Sequence, residues 1–231
     1  MTPLIQVAGI RDRAEADLVQ ACGVRYLGFP LRLPVNREDL TEAEAAAIIR
    51  SLRPPARGVL ITYLAEADAI ADFCRALGAT LVQLHGDISS GELARLRQLE
   101  PGLTIIKSLV VGLHPMPALE RLVMELGPLV DGFLTDTYAP ESGAAGATGR
   151  THDWALSRRL VQLSPRPVML AGGLTPANVR PAIAVVRPAG VDVHTGVEDA
   201  SGRKDRAKLM AFVAEASAAF GEYAGSPHRA P

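Results

Sequence analysis

Short apolar runs alternate with amphipathic segments along almost the whole chain. The run 5–8 precedes a segment, 12–21, in which Ala14, Leu18 and Ala21 recur at helical spacing before Cys22 and Gly23 close it. A second run, 24–29, leads to "TEAEAAAIIRSL", where Thr41 and Glu44 have capping-box spacing and Pro54-Pro55 stops the helix. The unit then recurs: "GVLITY" before "EADAIADFCRALG", "TLVQLHG" before "SSGELARLRQL", and "LTIIKSL" before a helical stretch at 117–126. "LVDGFLTD" passes through a long Gly/Ala-rich loop into "DWALSRRLVQL", "PVMLAGG" into "PANVRPAIAVV", and "GVDVHTG" into a helix at 206–220. Short apolar strands separated by helices predict a parallel sheet covered on both faces. Eight such units in one chain of 231 residues predict an α/β fold of the closed (β/α)8 TIM-barrel type. No composition shift divides the chain, so residues 1–223 read as a single domain and 224–231, "AGSPHRAP", as a disordered tail.

In such barrels the chemistry sits at the C-terminal ends of the strands, so the residues there carry the functional reading. Strand seven ends in Gly172 and Gly173 within "LAGGLTPANV", with Pro176 placed in the first turn of the next helix. Gly196 follows strand eight in "HTGVE". Each glycine alone reads as a tight turn; together, at adjacent strand ends, they predict a phosphate site. Asp136 closes strand six beside a loop rich in glycine (Gly143, Gly146, Gly149), a setting for a general acid or base or for a loop cap. Gln83 and His85 alternate to one face of strand four, where they could bond a substrate hydroxyl or each other. Lys107 is expected near the mouth, in a salt bridge to Asp136 or Asp87 or in contact with substrate, and Asp192 and His194 alternate to one face of strand eight.

Charge narrows the partners. With 24 basic and 25 acidic residues the net charge is −1, which offers no footprint for nucleic acid or an anionic membrane. Cys22 and Cys74 sit in helical patterns and read as buried thiols. No His/Cys/carboxylate cluster has metal-ligand spacing, no glycine fingerprint suggests a dinucleotide, and no run reaches membrane-spanning length. The expectation is a cytoplasmic protein, a monomer or homodimer, acting on a small phosphorylated compound.

From about residue 5 to 212 the sequence resembles the phosphoribosylanthranilate isomerase family of tryptophan biosynthesis. The resemblance is carried by "VQLHGD", "IIK", "LTD" with "ATGRTHDW", "LAGGLTPANV", and "GVDVHTGVE" with "GRKDRAKL". It implies a (β/α)8 barrel that converts a phosphoribosyl amine to its 1-deoxyribulose form by an Amadori rearrangement, without a cofactor. The family's acid falls on Asp136. Its base, a cysteine in a "K-x-C-G" motif ending strand one, falls on Ala8 in "QVAG", and its lysine is absent too. The family's "S-P-R-Y" loop, whose arginine holds the anthranilate carboxylate, is replaced by "FPLRLPVNREDL", with Arg32 and Arg37 off register. His194 stands where the family has a small hydroxyl residue. Three readings follow: a divergent enzyme with another substrate or reaction, an isomerase of the family's type using a substitute base such as His194, or a non-catalytic binder of phosphorylated ligands. The first is the sequence-based expectation, because fold and phosphate site do not fix the chemistry.

Overall fold

The computed structural model describes residues 4–34, 38–139, 144–145 and 151–224. Eight parallel strands form its centre: β1 (Leu4–Ala8), β2 (Tyr26–Pro30), β3 (Arg57–Thr62), β4 (Leu81–Leu84), β5 (Thr104–Val111), β6 (Gly132–Ala139), β7 (Val168–Leu170) and β8 (Gly190–Val193). They pair in the order 5-4-3-2-1-8-7-6, and β5 pairs with β6 to close the barrel. The helices α1 (Arg13–Ala21), α2 (Glu42–Ser51), α3 (Ala67–Leu77), α4 (Ser90–Leu99), α5 (Met116–Leu126), α6 (Trp154–Leu163), α7 (Val179–Val186) and α8 (Arg206–Ala224) surround it. The (β/α)8 architecture expected from the apolar alternation is therefore present.

Two apolar layers hold the barrel. The inner one joins Ala8, Val59, Ile61, Leu81, Ile106 and Leu134 with Met169 and Ala171. The larger outer one packs the other strand faces, including Leu84, Phe133 and Val191, against the helices. Because side chains alternate along a strand, membership of these layers reports which residues point into the barrel.

Local chemistry sets the helix starts. Asp12 caps α1 by accepting from the Glu15 N–H, and Thr41 and Glu44 form the expected capping box. Two boundaries differ from expectation. Strand β6 runs past Asp136 to Ala139, where Ala144–Ala145 pairs with it antiparallel. Helix α7 begins at Val179, so Pro176 lies in the turn before it. There the Asn178 side chain accepts from Thr175 N–H (2.7 Å) and donates to the Gly173 carbonyl (2.9 Å), holding the turn in place of a first helical turn. Gly143, Gly146, Gly149 and Arg37 lie outside the described residues, as does the expected tail apart from Ala224, which ends α8. Among the described residues no helix is long and apolar enough to cross a membrane.

Candidate active site

The register brings a row of polar residues to the barrel interior. One residue beyond the paired positions Thr135, Leu170 and Val191 stand Asp136, Ala171 and Asp192, and Asp192 pairs in turn with Gln6. Leu134 and Ala171 belong to the inner layer and Val191 and Val193 to the outer, so Asp136 and Asp192 both face inward. Both are buried. Asp136 Oδ1 accepts from the Thr137 N–H at 2.7 Å.

Two amides bridge the barrel. Gln6 Nε2 donates to Gln83 Oε1 at 2.8 Å, and Gln83 Nε2 lies 2.7 Å from His85 Nε2. With the amide as donor, the imidazole proton sits on Nδ1. The His85 ring packs against Tyr63 with centroids 5.3 Å apart. Gln83 and His85 thus bond each other, one of the two arrangements their spacing allowed. Burial and then the nearby Asp136 push the Tyr63 phenol up to about 12, which keeps it protonated. Burial, and next the charge of Asp136, raise Asp192 to about 7, against weaker support for its anion from Gln6, Lys204 and the Val193 N–H.

The glycines at the ends of β7 and β8 make close backbone approaches. Gly172 and Gly173 have φ of 91° and 61°, which glycine adopts without strain. A Cβ on Gly196 would overlap the Leu174 carbonyl oxygen, so the turn after β8 packs directly on the turn after β7. A short 3-10 turn, Thr195–Val197, follows β8. Amides of Gly173 and Leu174 donate to no acceptor among the described residues.

His194 lies just beyond the end of β8, and Lys107 lies near the mouth at the β4–β5 rim beside Asp87, as one of its expected settings had it. His194 leaves the strand with φ −120° and ψ −89°, and its ring lies against Gly9 and 3.4 Å from Glu198. Burial, then Lys204 and Arg11, lower its pKa to about 3, so the imidazole stays neutral. It is held against Gly9, at the tip of β1 just beyond Ala8. Lys107 pairs in register with Leu84 and Phe133, both of the outer layer, and so points away from the face that carries Asp136. Its Nζ donates to the Ser108 carbonyl (2.8 Å), and burial lowers its pKa to about 8 against the pull of Asp87. With His85, Asp87 and Leu122 it lines a cavity of about 330 Å³ at the β4–β5 rim.

Several residues beyond the sequence-based candidates shape the site. Gln6 is one, and a polar residue inside the apolar run "LIQVA" was its visible signal. Glu15 is another: it accepts from the Arg11 and Lys204 N–H groups, each at 3.0 Å, and meets Arg203 Nε at 3.1 Å, joining the loop after β1 to the segment before α8. Lys204 Nζ reaches Glu198 Oε1 at 2.6 Å and the His194 carbonyl at 3.2 Å. His152 bridges Thr137 Oγ1 (2.8 Å) and Ser157 Oγ (2.5 Å), fastening the strand just beyond Asp136 to α6. Arg32 is paired with Glu42 at 2.8 Å and stacks 3.8 Å over Phe73. Cys74 is buried as expected, whereas Cys22, at the end of α1, is only partly so.

Buried carboxylates at strand ends beside paired glycine turns define the class: a (β/α)8 barrel with a polar cluster at the C-terminal ends of its strands. The family model described as N-(5'-phosphoribosyl)anthranilate (PRA) isomerase matches residues 6–215, and the chain belongs to that family of isomerases of tryptophan biosynthesis. It is 37% identical over 211 residues to N-(5'-phosphoribosyl)anthranilate isomerase 2 of Methanosarcina mazei, covering 90% of this chain and 92% of the relative. The Haloferax volcanii N-(5'-phosphoribosyl)anthranilate isomerase is 38% identical, with 94% of each chain covered. Among solved structures, phosphoribosyl anthranilate isomerase from Thermotoga maritima superposes with a TM-score of 0.79 at 29% identity, over 94% of this chain and 100% of that one. Another isomerase structure, in complex with reduced 1-(o-carboxyphenylamino)-1-deoxyribulose 5-phosphate, gives 0.76 at 27% identity, with 94% and 100% covered.

Proposed function

We propose that this protein is a cytoplasmic enzyme that isomerises a phosphoribosyl amine to the corresponding 1-amino-1-deoxyribulose 5-phosphate, with N-(5'-phosphoribosyl)anthranilate as its substrate. The observation that carries the reading is Asp136, a buried inward carboxylate at the mouth, with the paired glycine turns on the neighbouring strands. In this reading Asp136 donates a proton to the ring oxygen as the furanose opens, and the amine lone pair forms the C1=N bond. The backbone around Gly172, Gly173 and Gly196 binds the phosphate, Asn178 fixes the Gly173 peptide, and Gln83 orients the His85 ring toward the sugar. The chemistry needs no cofactor, since C1 is reduced as C2 is oxidised within one molecule.

A second reading keeps the reaction type and changes the amine. It is favoured by Ala8 at the β1 tip and by Arg32, which is engaged by Glu42 and Phe73 and so is not offered to a substrate carboxylate. Two measurements separate these readings. Rescue of a tryptophan auxotroph lacking the isomerase, lost on Asp136→Asn, supports the first. Absence of rescue together with thermal protection by ribose 5-phosphate supports the second, or a non-catalytic binder if no phosphoribosyl amine is turned over.

A further inference from the structure

We propose that Asp192 is the general base of this isomerisation, an assignment that rests on the functional reading above. The reaction needs a group to remove the C2 proton after Asp136 has opened the ring. Asp192 faces the same interior as Asp136, from the row that pairs with Gln6 on β1. It is 8% exposed, and its Oδ1 has no hydrogen-bond partner among the described residues. A buried carboxylate oxygen left unmatched is costly and calls for an explanation. An oxygen left unmatched on the inner face of the barrel is open to a proton brought by a substrate.

Lys107 points to the outer layer with Leu84 and Phe133, and other groups are disfavoured by position or chemistry. Ala8 has no titratable group, Cys22 ends α1, and Cys74 is buried on α3. The His194 ring is committed to Gly9 and its neutral form is too weak a base. His85 Nε2 already receives the Gln83 amide, and Tyr63 remains protonated. The groups facing Asp192 are Asp136 on β6, which opposes its ionisation, and Gln6, Lys204 and the Val193 N–H, which favour it. Their balance leaves its pKa near the operating pH, where a general base works best.

The step balances internally. The Asp192 carboxylate takes the proton from C2; the C–H electron pair becomes the C1=C2 bond, and the C1=N pair returns to nitrogen. The resulting enol loses its hydroxyl proton as the C2 carbonyl forms, and C1 gains a proton, so no oxidant or reductant is required.

The test compares wild type, Asp192→Asn and Asp192→Glu in the full chain, with kcat and KM measured separately on N-(5'-phosphoribosyl)anthranilate and its C2-deuterated form. The expected result is a loss of about 10² to 10⁴ in kcat for Asp192→Asn, with KM within about threefold. Asp192→Glu should regain at least about tenfold over Asn, and the acid limb of the wild-type pH profile should vanish in Asp192→Asn. An Asp192→Asn kcat within about threefold of wild type, or a change confined to KM, would overturn the assignment while leaving the isomerase reading intact. No turnover by the wild type would bring down both.

Discussion

The imidazole of His194 lies against the α-carbon of Gly9, so the tips of β8 and β1 meet ring to backbone: a Cβ at position 9 would overlap the ring. Gly9 also has φ of 74°. Gly9→Ala therefore carries two penalties, the left-handed backbone at about 1–2 kcal/mol and the ring overlap. In a His194→Ala background only the first should remain. Urea midpoints of the four proteins in this cycle check it; an equal cost in both backgrounds would show that the contact is not felt.

Acid should destabilise the fold between pH 6.5 and 4. Burial, its first cause in each case, lowers His152 to about 4 and His194 to about 3. Their unfolded forms therefore bind protons first, and their stabilising contribution is full above 6.5 and declines as pH falls through that window. Asp192 acts in the opposite sense. Its raised pKa gives a contribution that is full below its ordinary 3.8 and is lost as pH rises through about 7. His152→Gln should flatten the acid loss, whereas Asp192→Asn should raise the urea midpoint at pH 8 more than at pH 4.

His152 should matter for Asp136 through the strand between them. It bonds Thr137 Oγ1 and Ser157 Oγ, and the Thr137 N–H donates to Asp136. His152→Ala leaves the buried Ser157 hydroxyl unmatched, at about 1–3 kcal/mol. A shift of the Asp136-dependent limb of the pH–rate profile, alongside the loss of stability, is the readout that a purely structural bridge would not produce.

Gly196→Ala should weaken phosphate binding before it unfolds the barrel, because its Cβ would push the turn after β8 away from Leu174. Calorimetric titration with ribose 5-phosphate measures this; unchanged affinity would remove the glycine turns from the site.

Lys107 is a buried cation that donates to a backbone carbonyl, and burial lowers its pKa to about 8 despite the opposing charge of Asp87. Lys107→Met should raise stability at pH 7 by about 3 kcal/mol, judged by chemical denaturation, since the pKa falls from 10.5 to about 8 and each unit is worth about 1.4 kcal/mol. A lower midpoint would mean that the ammonium is better solvated than its outward, helix-facing position implies.

Much of this protein is set by its sequence. The alternation of short apolar runs with helical spacing fixes eight strand–helix units, because a strand buried on both faces and a helix buried on one impose different periods. That count, with the turn glycines, locates the mouth and places Asp136, Asp192, Gln83 and His85 at strand ends. Periodicity describes one strand at a time, however. Which residues of different strands share a row depends on register around the closed barrel, and only the paired structure sets Asp136 and Asp192 on a common inner face with Gln6. The same register turns Lys107 outward beside Leu84 and Phe133. Alternation also ends where the strand ends. His194, two residues beyond Asp192, packs onto Gly9, where burial and nearby cations rather than its sequence position determine its charge.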